Sequence, residues 1–575
     1  MPRGVAAELP NRGTYVVDAG DGGLSRRALM RNGALLAGAA MLPGTAALAQ
    51  RSGGYTRYNV ASADGKRMLA GYSRAIGRML DLPPDHPHNW YRTAITHFLD
   101  CPHGNWWILP WHRAFTGYTE QVVRKYSDME DFAFPFWDWT QSAEVPAEMY
   151  DGVLDPGNRA FIGSAGEFKD RYESVLDQSG YWIKDPKPDD GGFNTPFGQL
   201  LIRATRFPDD VWFDMFKNPN MIAFFPNTLY PRSKARGLQR DNRRLDTPTR
   251  RAVSLPTLLK ALSPLDFITF ASDRTKFHSN VSGFGLLEGQ PHNKVHNNVG
   301  GLIYDDATCG TNNIGGFMQN NLSPVDPLFF LHHSNLDRLW DVWTRKQTAF
   351  GYPTLPDGAP AQPGGQPVKG SAYAQWASEP FLFFIGLDGK PVPNAVAGKY
   401  ATIGDFNYRY EKGSGEQVVP PPSAMLRAAP KRVIRRVQSA LPGEAAAREV
   451  AAGRGVAVTL PAALLPAARG PAAPMLFAKV TLSLPPGSHG ESFNILVHAG
   501  DPSKARIVES VSLFGGHGGT HGPLTFTVAL SSALAELGSV RAGRPIFFQA
   551  TSACPAPAAH HADTVEIVSV TVEAH

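Results

Sequence analysis

Apolar residues recur at helical spacing over residues 68–80, 92–99, 113–125 and 331–344. That period predicts amphipathic helices with one face turned to a shared core. Connections rich in Gly, Pro and Asn separate them, and the chain stays dense in aromatics and histidines from residue 57 to about 411. Such a stretch reads as a mainly helical domain whose functional groups sit on facing helices. Beyond it the pattern changes. Residues 412–474 are rich in Ala, Pro and Arg and contain the basic run Lys431-Arg432-Val433-Ile434-Arg435-Arg436, which reads as a linker and a candidate protease target. Short alternating runs at 476–484, 493–498, 524–530, 545–550 and 564–572, with turn residues between them, predict a small antiparallel β-sandwich or barrel. The expected fold is multi-domain α+β: a helical domain over 50–411, a linker over 412–474 and a C-terminal β-sandwich-like domain over 475–575.

The chain has 575 residues, too many for one ordinary core. Its net charge of +5 is small for that length, and no Lys/Arg stripe interleaves with aromatics, which argues against a nucleic-acid partner. Cys101, Cys309 and Cys554 form no CxxC pair, so neither a zinc ribbon nor a disulfide framework is expected, while a Cys309–Cys554 pairing stays open. Residues 1–49 read as a removable signal. Ser25-Arg26-Arg27-Ala28-Leu29-Met30 precedes a mild apolar stretch that ends in Ala47-Leu48-Ala49, resembling a twin-arginine export signal. A periplasmic or secreted protein is the expectation. No other stretch is long and apolar enough to span a bilayer, so no membrane association is expected of the mature chain. The oligomeric state is left open.

Three histidine clusters carry the chemistry. The first holds His97, Cys101 and His103, then Leu109-Pro110-Trp111-His112-Arg113. The second is Glu288-Gly289-Gln290-Pro291-His292-Asn293-Lys294-Val295-His296. The third runs from Asp326 through His332 and His333 to Asp337 and Trp340. His292 and His296 are four apart, which puts both imidazoles on one helix face within reach of one metal. His333 and Asp337 repeat the spacing, and a carboxylate there is placed to orient a neighbouring imidazole. An HxxxH pair by itself is more often two partly exposed helix histidines, but three clusters together point to a histidine-rich transition-metal site, with copper, zinc, iron and nickel all open and copper favoured by the lack of thiolate and carboxylate ligands.

These clusters resemble the type-3 copper family of tyrosinases, catechol oxidases and haemocyanins. CxH followed by LPWHR resembles the family's first copper site, and PHNxVH followed by DPLFFLHHSNLDRLW resembles its second. Phe134-Pro135-Phe136-Trp137-Asp138-Trp139 and Tyr408-Arg409-Tyr410 resemble two further motifs of the catalytic domain. The resemblance implies a four-helix bundle around a dicopper centre. One copper would be held by His97, His103 and His112, the other by His292, His296 and His333, with His332 a neighbour that does not bind. His97 rests on an HxxxC spacing similar to the plant enzymes; His86 and His88 fit the longer spacing of most relatives and remain alternatives. The resemblance also implies a thioether between Cys101 and His103.

The implied activity is O2-dependent ortho-hydroxylation of phenols and oxidation of o-diphenols to o-quinones. Phenol hydroxylation needs a base. Glu288 and Asn293 match a glutamate and an asparagine that, in tyrosinases, are proposed to hold a basic water, which favours a tyrosinase; the bland alternative is a helix-start carboxylate beside a turn-capping amide. A catechol oxidase without the hydroxylating step is the runner-up, and a haemocyanin-like O2 carrier the alternative of another class. In many relatives a C-terminal domain covers the copper site and inserts a side chain. Phe514 is a candidate for that role here, or an ordinary core residue of a Gly-rich loop. His517 and His521 in the same loop are candidates for collecting copper.

Overall fold

The computed structural model describes residues 54–178, 230–304, 311–360, 365–421, 435–438, 455–464, 475–484, 492–514, 522–538, 540–553 and 565–575. The signal-like segment 1–49, Cys309, Cys554, His517 and His521 lie outside them.

Five of the described helices matter most for the first part of the molecule. Helix α1 (Ala63–Leu80) starts where the Ser62 side chain accepts from Gly65 N–H, and α2 (Trp90–Asp100) where Asn89 accepts from Tyr91 N–H. These side-chain oxygens satisfy backbone donors that have no partner inside the helix. Helix α3 (Ile108–Tyr126) carries Pro110 in its first turn, the one helical position where a missing N–H costs nothing. A wide π-helical turn, Glu288–His292, contains Pro291 and runs directly into α4 (Asn293–Val299). Helix α5 (Leu328–Phe350) opens with Asp326 Oδ1 accepting from Leu328 N–H and ends at Gly351, whose φ of 70° suits glycine. The helices α2, α3, α4 and α5 carry the histidines. Buried tryptophans, among them Trp90, Trp111, Trp139 and Trp340, fill the space around them.

A buried ionic cluster fixes α3 and α5 to the chain ends of this region. The strand Tyr55–Arg57 pairs in parallel with Tyr408–Tyr410. Arg57 from the first strand reaches Glu120 at 2.8 Å and Asp337 at 3.4 Å. Asp337 also accepts from Arg113 at 2.6 Å and from the hydroxyls of Tyr408 and Tyr410. Burial would raise the Asp337 carboxyl, but Arg113 and Arg57 hold it below the usual carboxylate range. Asp337 was expected to orient an imidazole. Its hydrogen bonds go instead to Arg113, Arg57, Tyr408 and Tyr410, because the cations that α3 and the Tyr55–Arg57 strand bring to position 337 capture its carboxylate.

The C-terminal part is two packed sheets. With β1 Gly283–Phe284, β2 Arg435–Gln438, β3 Val456–Thr459, β4 Leu476–Ser483, β5 Ser492–His498, β6 Arg506–Ser512, β7 Leu524–Ala529, β8 Pro545–Ser552 and β9 Glu566–Ala574, the strand orders are β6-β5-β8-β3 and β1-β7-β4-β9-β2. Alternate residues of both sheets, such as Val480, Phe526, Val570, Ile495 and Phe548, form one apolar core. The expected sandwich is therefore present, with two differences from the sequence reading. The segment read as linker supplies β2 and β3, so Arg435 and Arg436 of the basic run lie in a strand paired with β9. A protease needs an extended unpaired segment, and that pair is not one. The second difference is β1, which belongs to the helical region. It adds in parallel to the edge of β7, and its Phe284 stacks on Phe526 inside the sandwich core. Gly283 permits the approach, since a Cβ there would lie 2.5 Å from Thr525 O. No helix of the described residues is long and apolar enough to cross a membrane.

Replacing Asp337 with Ala leaves Arg113 buried beside no carboxylate and Arg57 with Glu120 alone. A loss of about 3–5 kcal/mol is expected in denaturant unfolding; a loss under about 1 kcal/mol would show that the cluster holds nothing together.

Candidate metal centre

The helices bring the histidines into two adjoining groups. His97, His103 and His112 form one; His292, His296, His332 and His333 form the other, and within each group one ring nitrogen per residue lies within 4.8 Å of the rest. All are buried. The groups face each other across His112 and His333, whose rings stack at 4.2 Å, and across His103 and His292 at 5.8 Å. His97 comes from the last turn of α2, His112 from the first turns of α3, and His103 from the loop between them. His292 and His296 lie one turn apart, as their spacing predicted. His86 and His88 are elsewhere: His88 bonds Tyr126 OH and Gly386 O, and His86 packs on its edge. The structure thus brings His97, and not His86 or His88, together with His103 and His112.

Hydrogen bonds settle which nitrogen each ring turns inward. His97 Nδ1 is 2.7 Å from Asn321 O, His112 Nδ1 2.8 Å from Ile108 O, His296 Nδ1 2.8 Å from Met318 O and His292 Nδ1 2.8 Å from Asn293 Oδ1. A carbonyl oxygen only accepts, so each Nδ1 carries the proton and each Nε2 keeps its lone pair for the interior. The inward nitrogens crowd: His97 and His112 Nε2 are 3.4 Å apart, and His296 and His333 Nε2 3.1 Å. His292 Nε2 is buried with no partner. Lone pairs that face each other without water are repulsive unless a cation lies between them, and an all-imidazole set of this kind suits copper. His332 differs. Its Nδ1 accepts from the Trp139 indole N–H at 3.2 Å, which puts the proton on Nε2 and leaves neither nitrogen to bind a metal.

Burial in each other's company keeps these rings neutral. It pushes His97 down to about 3 and His292 to about 4, and it holds His112, His296, His332 and His333 well below the ordinary histidine range, with neighbouring imidazoles adding to the effect.

The loop that carries His103 is tightly held. Cys101 Sγ lies 3.5 Å from His103 Nδ1. Gly104, at φ +62°, gives its N–H to Glu288 Oε1 at 2.7 Å. The other Glu288 oxygen meets the Ser272 hydroxyl in a short contact, while that hydroxyl also lies 2.5 Å from Ala271 O. One hydroxyl hydrogen cannot serve both, so a proton on Glu288 completes the arrangement; burial accordingly raises its carboxyl to about 8. Beneath the loop, His278 lies between Asp100 at 3.0 Å and Glu379 at 2.8 Å. Burial opposes its charge, yet the two carboxylates raise it to about 9. Nothing in the spacing of His278 marked it, because its partners come from distant loops.

The sandwich covers the centre. Phe514, just after β6, stacks on His296 at 4.0 Å and 21°, and its ring meets His103 and His292 edge-on at 5.0 and 5.6 Å. Of the two readings of Phe514, the structure supports insertion. Asn293 Nδ2 donates to Ser512 O at 2.7 Å, and Asn297 Nδ2 to Leu513 O at 2.8 Å. Lys294 Nζ reaches Ser510 Oγ at 3.0 Å. Asn293 therefore joins His292 to the covering strand with the two ends of one amide.

The depressed histidines set the acid response of the metal-free protein. Unfolded histidines take up protons below about pH 6.5, the buried ones only well below that, His97 near 3 and His292 near 4, so stability present above 6.5 is lost as pH falls below it, by roughly 1.4 kcal/mol per pH unit for each ring that stays neutral. Thermal unfolding of apoprotein at pH 7.5 and 5 checks this; equal midpoints would contradict it. His278 acts in the opposite sense. Its raised value stabilises the fold below 6.5, and that contribution disappears as pH rises through about 9. The His278→Gln variant is expected to lose stability at pH 7 and to show a flatter alkaline limb.

Residues 83–346 match the common central domain of tyrosinase, a span that contains every histidine of both groups. A tyrosinase of Hahella sp. (strain CCB-MM4) is 24% identical over 315 residues, covering 48% of this chain and 50% of its own length. A chloroplastic polyphenol oxidase of Spinacia oleracea is 23% identical over 312 residues, covering 50% of this chain and 39% of its own length. The chain thus spans half the length of these relatives or less. Among solved structures, a tyrosinase from Burkholderia thailandensis aligns over 86% of this chain and 94% of its own at 16% identity and a TM-score of 0.44. Through residues 83–346 the chain belongs to the tyrosinase family of type-3 copper proteins.

Proposed function

We propose that this protein is a tyrosinase, using O2 to convert monophenols and o-diphenols to o-quinones at two coppers, one held by His97, His103 and His112 and the other by His292, His296 and His333. The observation that carries the reading is the inward set of Nε2 atoms, four of them, on His97, His112, His292 and His296, fixed by what the Nδ1 of the same ring donates to. Bound copper would supply O2 activation and take up the substrate's electrons. Each o-diphenol gives up two electrons and two protons on becoming a quinone, so two of them reduce one O2 to two waters.

The chain's own residues orient substrate and handle protons. Phe514 lies flat on His296, where a phenol ring would stack, so the covered form is a resting one. Glu288 is protonated there and Asn293 is bound to Ser512. Moving the strand that bears Ser512 and Phe514 would free the ring site and the Asn293 amide together, and Glu288, once ionised, would hold with Asn293 the water that receives the phenolic proton. The approach of Cys101 to His103 supports a thioether, which would lower the intact mass by two hydrogens.

A second reading, a catechol oxidase, draws on one observation: both Glu288 oxygens are occupied by Gly104 and Ser272. O2 uptake and quinone absorbance with a monophenol and an o-diphenol in parallel decide between them. Phe514→Ala is expected to raise diphenol oxidation about tenfold or more, and Glu288→Gln to cut monophenol turnover about 100-fold while sparing the diphenol. Diphenol oxidation alone would favour the catechol oxidase, and reversible O2 binding without oxidation a carrier.

A further inference from the structure

The segment between α4 and α5 touches both histidine groups. Met318 O accepts from His296 Nδ1 at 2.8 Å, and Asn321 O from His97 Nδ1 at 2.7 Å. One short stretch of backbone therefore fixes the tautomer and the ring direction of one histidine in each group. A backbone carbonyl is only as well placed as the chain that bears it, so the question is what holds this stretch.

The answer lies at its far end. Arg236, buried at 2% exposure, grips Asp326 with two parallel bonds, Nε to Oδ2 at 2.8 Å and Nη2 to Oδ1 at 2.5 Å. Its remaining donors go to Met149 O at 2.6 Å and Leu154 O at 2.7 Å. The planar guanidinium so ties three segments in a fixed orientation. Asp326 in turn accepts from Leu328 N–H, the first turn of the helix that carries His333. The adjoining carbonyls of Val325 and Pro327 accept from Trp90 Nε1 and Tyr72 OH, each at 3.0 Å. Trp90 opens the helix whose last turn carries His97.

We propose that Arg236 and Asp326 are positioning residues for both metal sites at once, acting through the Met318 and Asn321 carbonyls and the start of α5. The inference rests on the reading that the two histidine groups bind copper. A pair serving a single site would loosen one copper; this pair, serving a turn shared by both, loosens the two together.

The test is copper content of the full chain after dialysis against a graded series of chelator concentrations, with the Cu(II) electron paramagnetic resonance signal recorded at each step. Wild type is expected to hold two copper equivalents. Arg236→Met is expected to weaken both by about 10- to 100-fold, with both equivalents lost over the same chelator range. Asp326→Asn, which keeps an acceptor for Leu328 N–H, should do the same more mildly and serves if Arg236→Met does not fold. Lys346→Met is the control for instability alone. It removes a buried ammonium bonded to Leu262, Ser263 and Pro264 carbonyls, about 20 Å along α5 from His333, and should leave copper affinity unchanged. Loss of only one equivalent, no loss in either pair variant, or equal loss in Lys346→Met would overturn the proposal. Wild type that takes up no copper would instead overturn the metal reading beneath it.

Discussion

The structure depends on keeping six imidazoles neutral, buried and turned the same way. A neutral ring offers one lone pair, and it points inward only if the other nitrogen has somewhere to put its proton. Backbone carbonyls of Ile108, Met318 and Asn321 and the side-chain oxygen of Asn293 provide that place for four of the six. The contrast with His332 shows how little decides the outcome: the indole N–H of Trp139 donates to its Nδ1, the proton moves to the other nitrogen, and the ring offers no free lone pair. Packing therefore selects ligands by tautomer as well as by distance.

The sandwich is joined to this centre more intimately than a cover laid on a cleft. Phe284 of the helical region belongs to the sandwich core, and the backbone that leads from it reaches Glu288 within four residues. Ser282 and Gly283 N–H both bond Gly104 O, beside His103. Separating the two parts would expose Phe284 and disturb the loop that holds His103, so displacement of the Ser512–Phe514 strand alone is the less costly way to open the site.

Much of this was legible in the chain. Helical periodicity located α1, α2, α3 and α5, and the four-residue spacing of His292 and His296 gave their common face. The HxxxC spacing favoured His97 over His86 and His88, and His97 is the one that lies beside His103 and His112. What escaped the sequence has physical reasons. A two-residue strand such as Gly283–Phe284 has no periodicity to detect. Four-residue strands within an Ala- and Arg-rich stretch read as linker, because their partners β9 and β8 lie far along the chain. Asp337 has the spacing of a histidine-orienting carboxylate, yet the nearer cations Arg113 and Arg57 claim it. The carbonyls of Met318 and Asn321 carry no side-chain signal at all, since every residue has one.

The central claim is that six named imidazoles hold two coppers and His332 holds none. Anomalous diffraction at the copper edge from crystals of the copper-loaded full chain tests it most directly. Two peaks are expected, one among His97, His103 and His112 and one among His292, His296 and His333, each close to Nε2 atoms. A single peak, or density bonded to His332, would contradict the account.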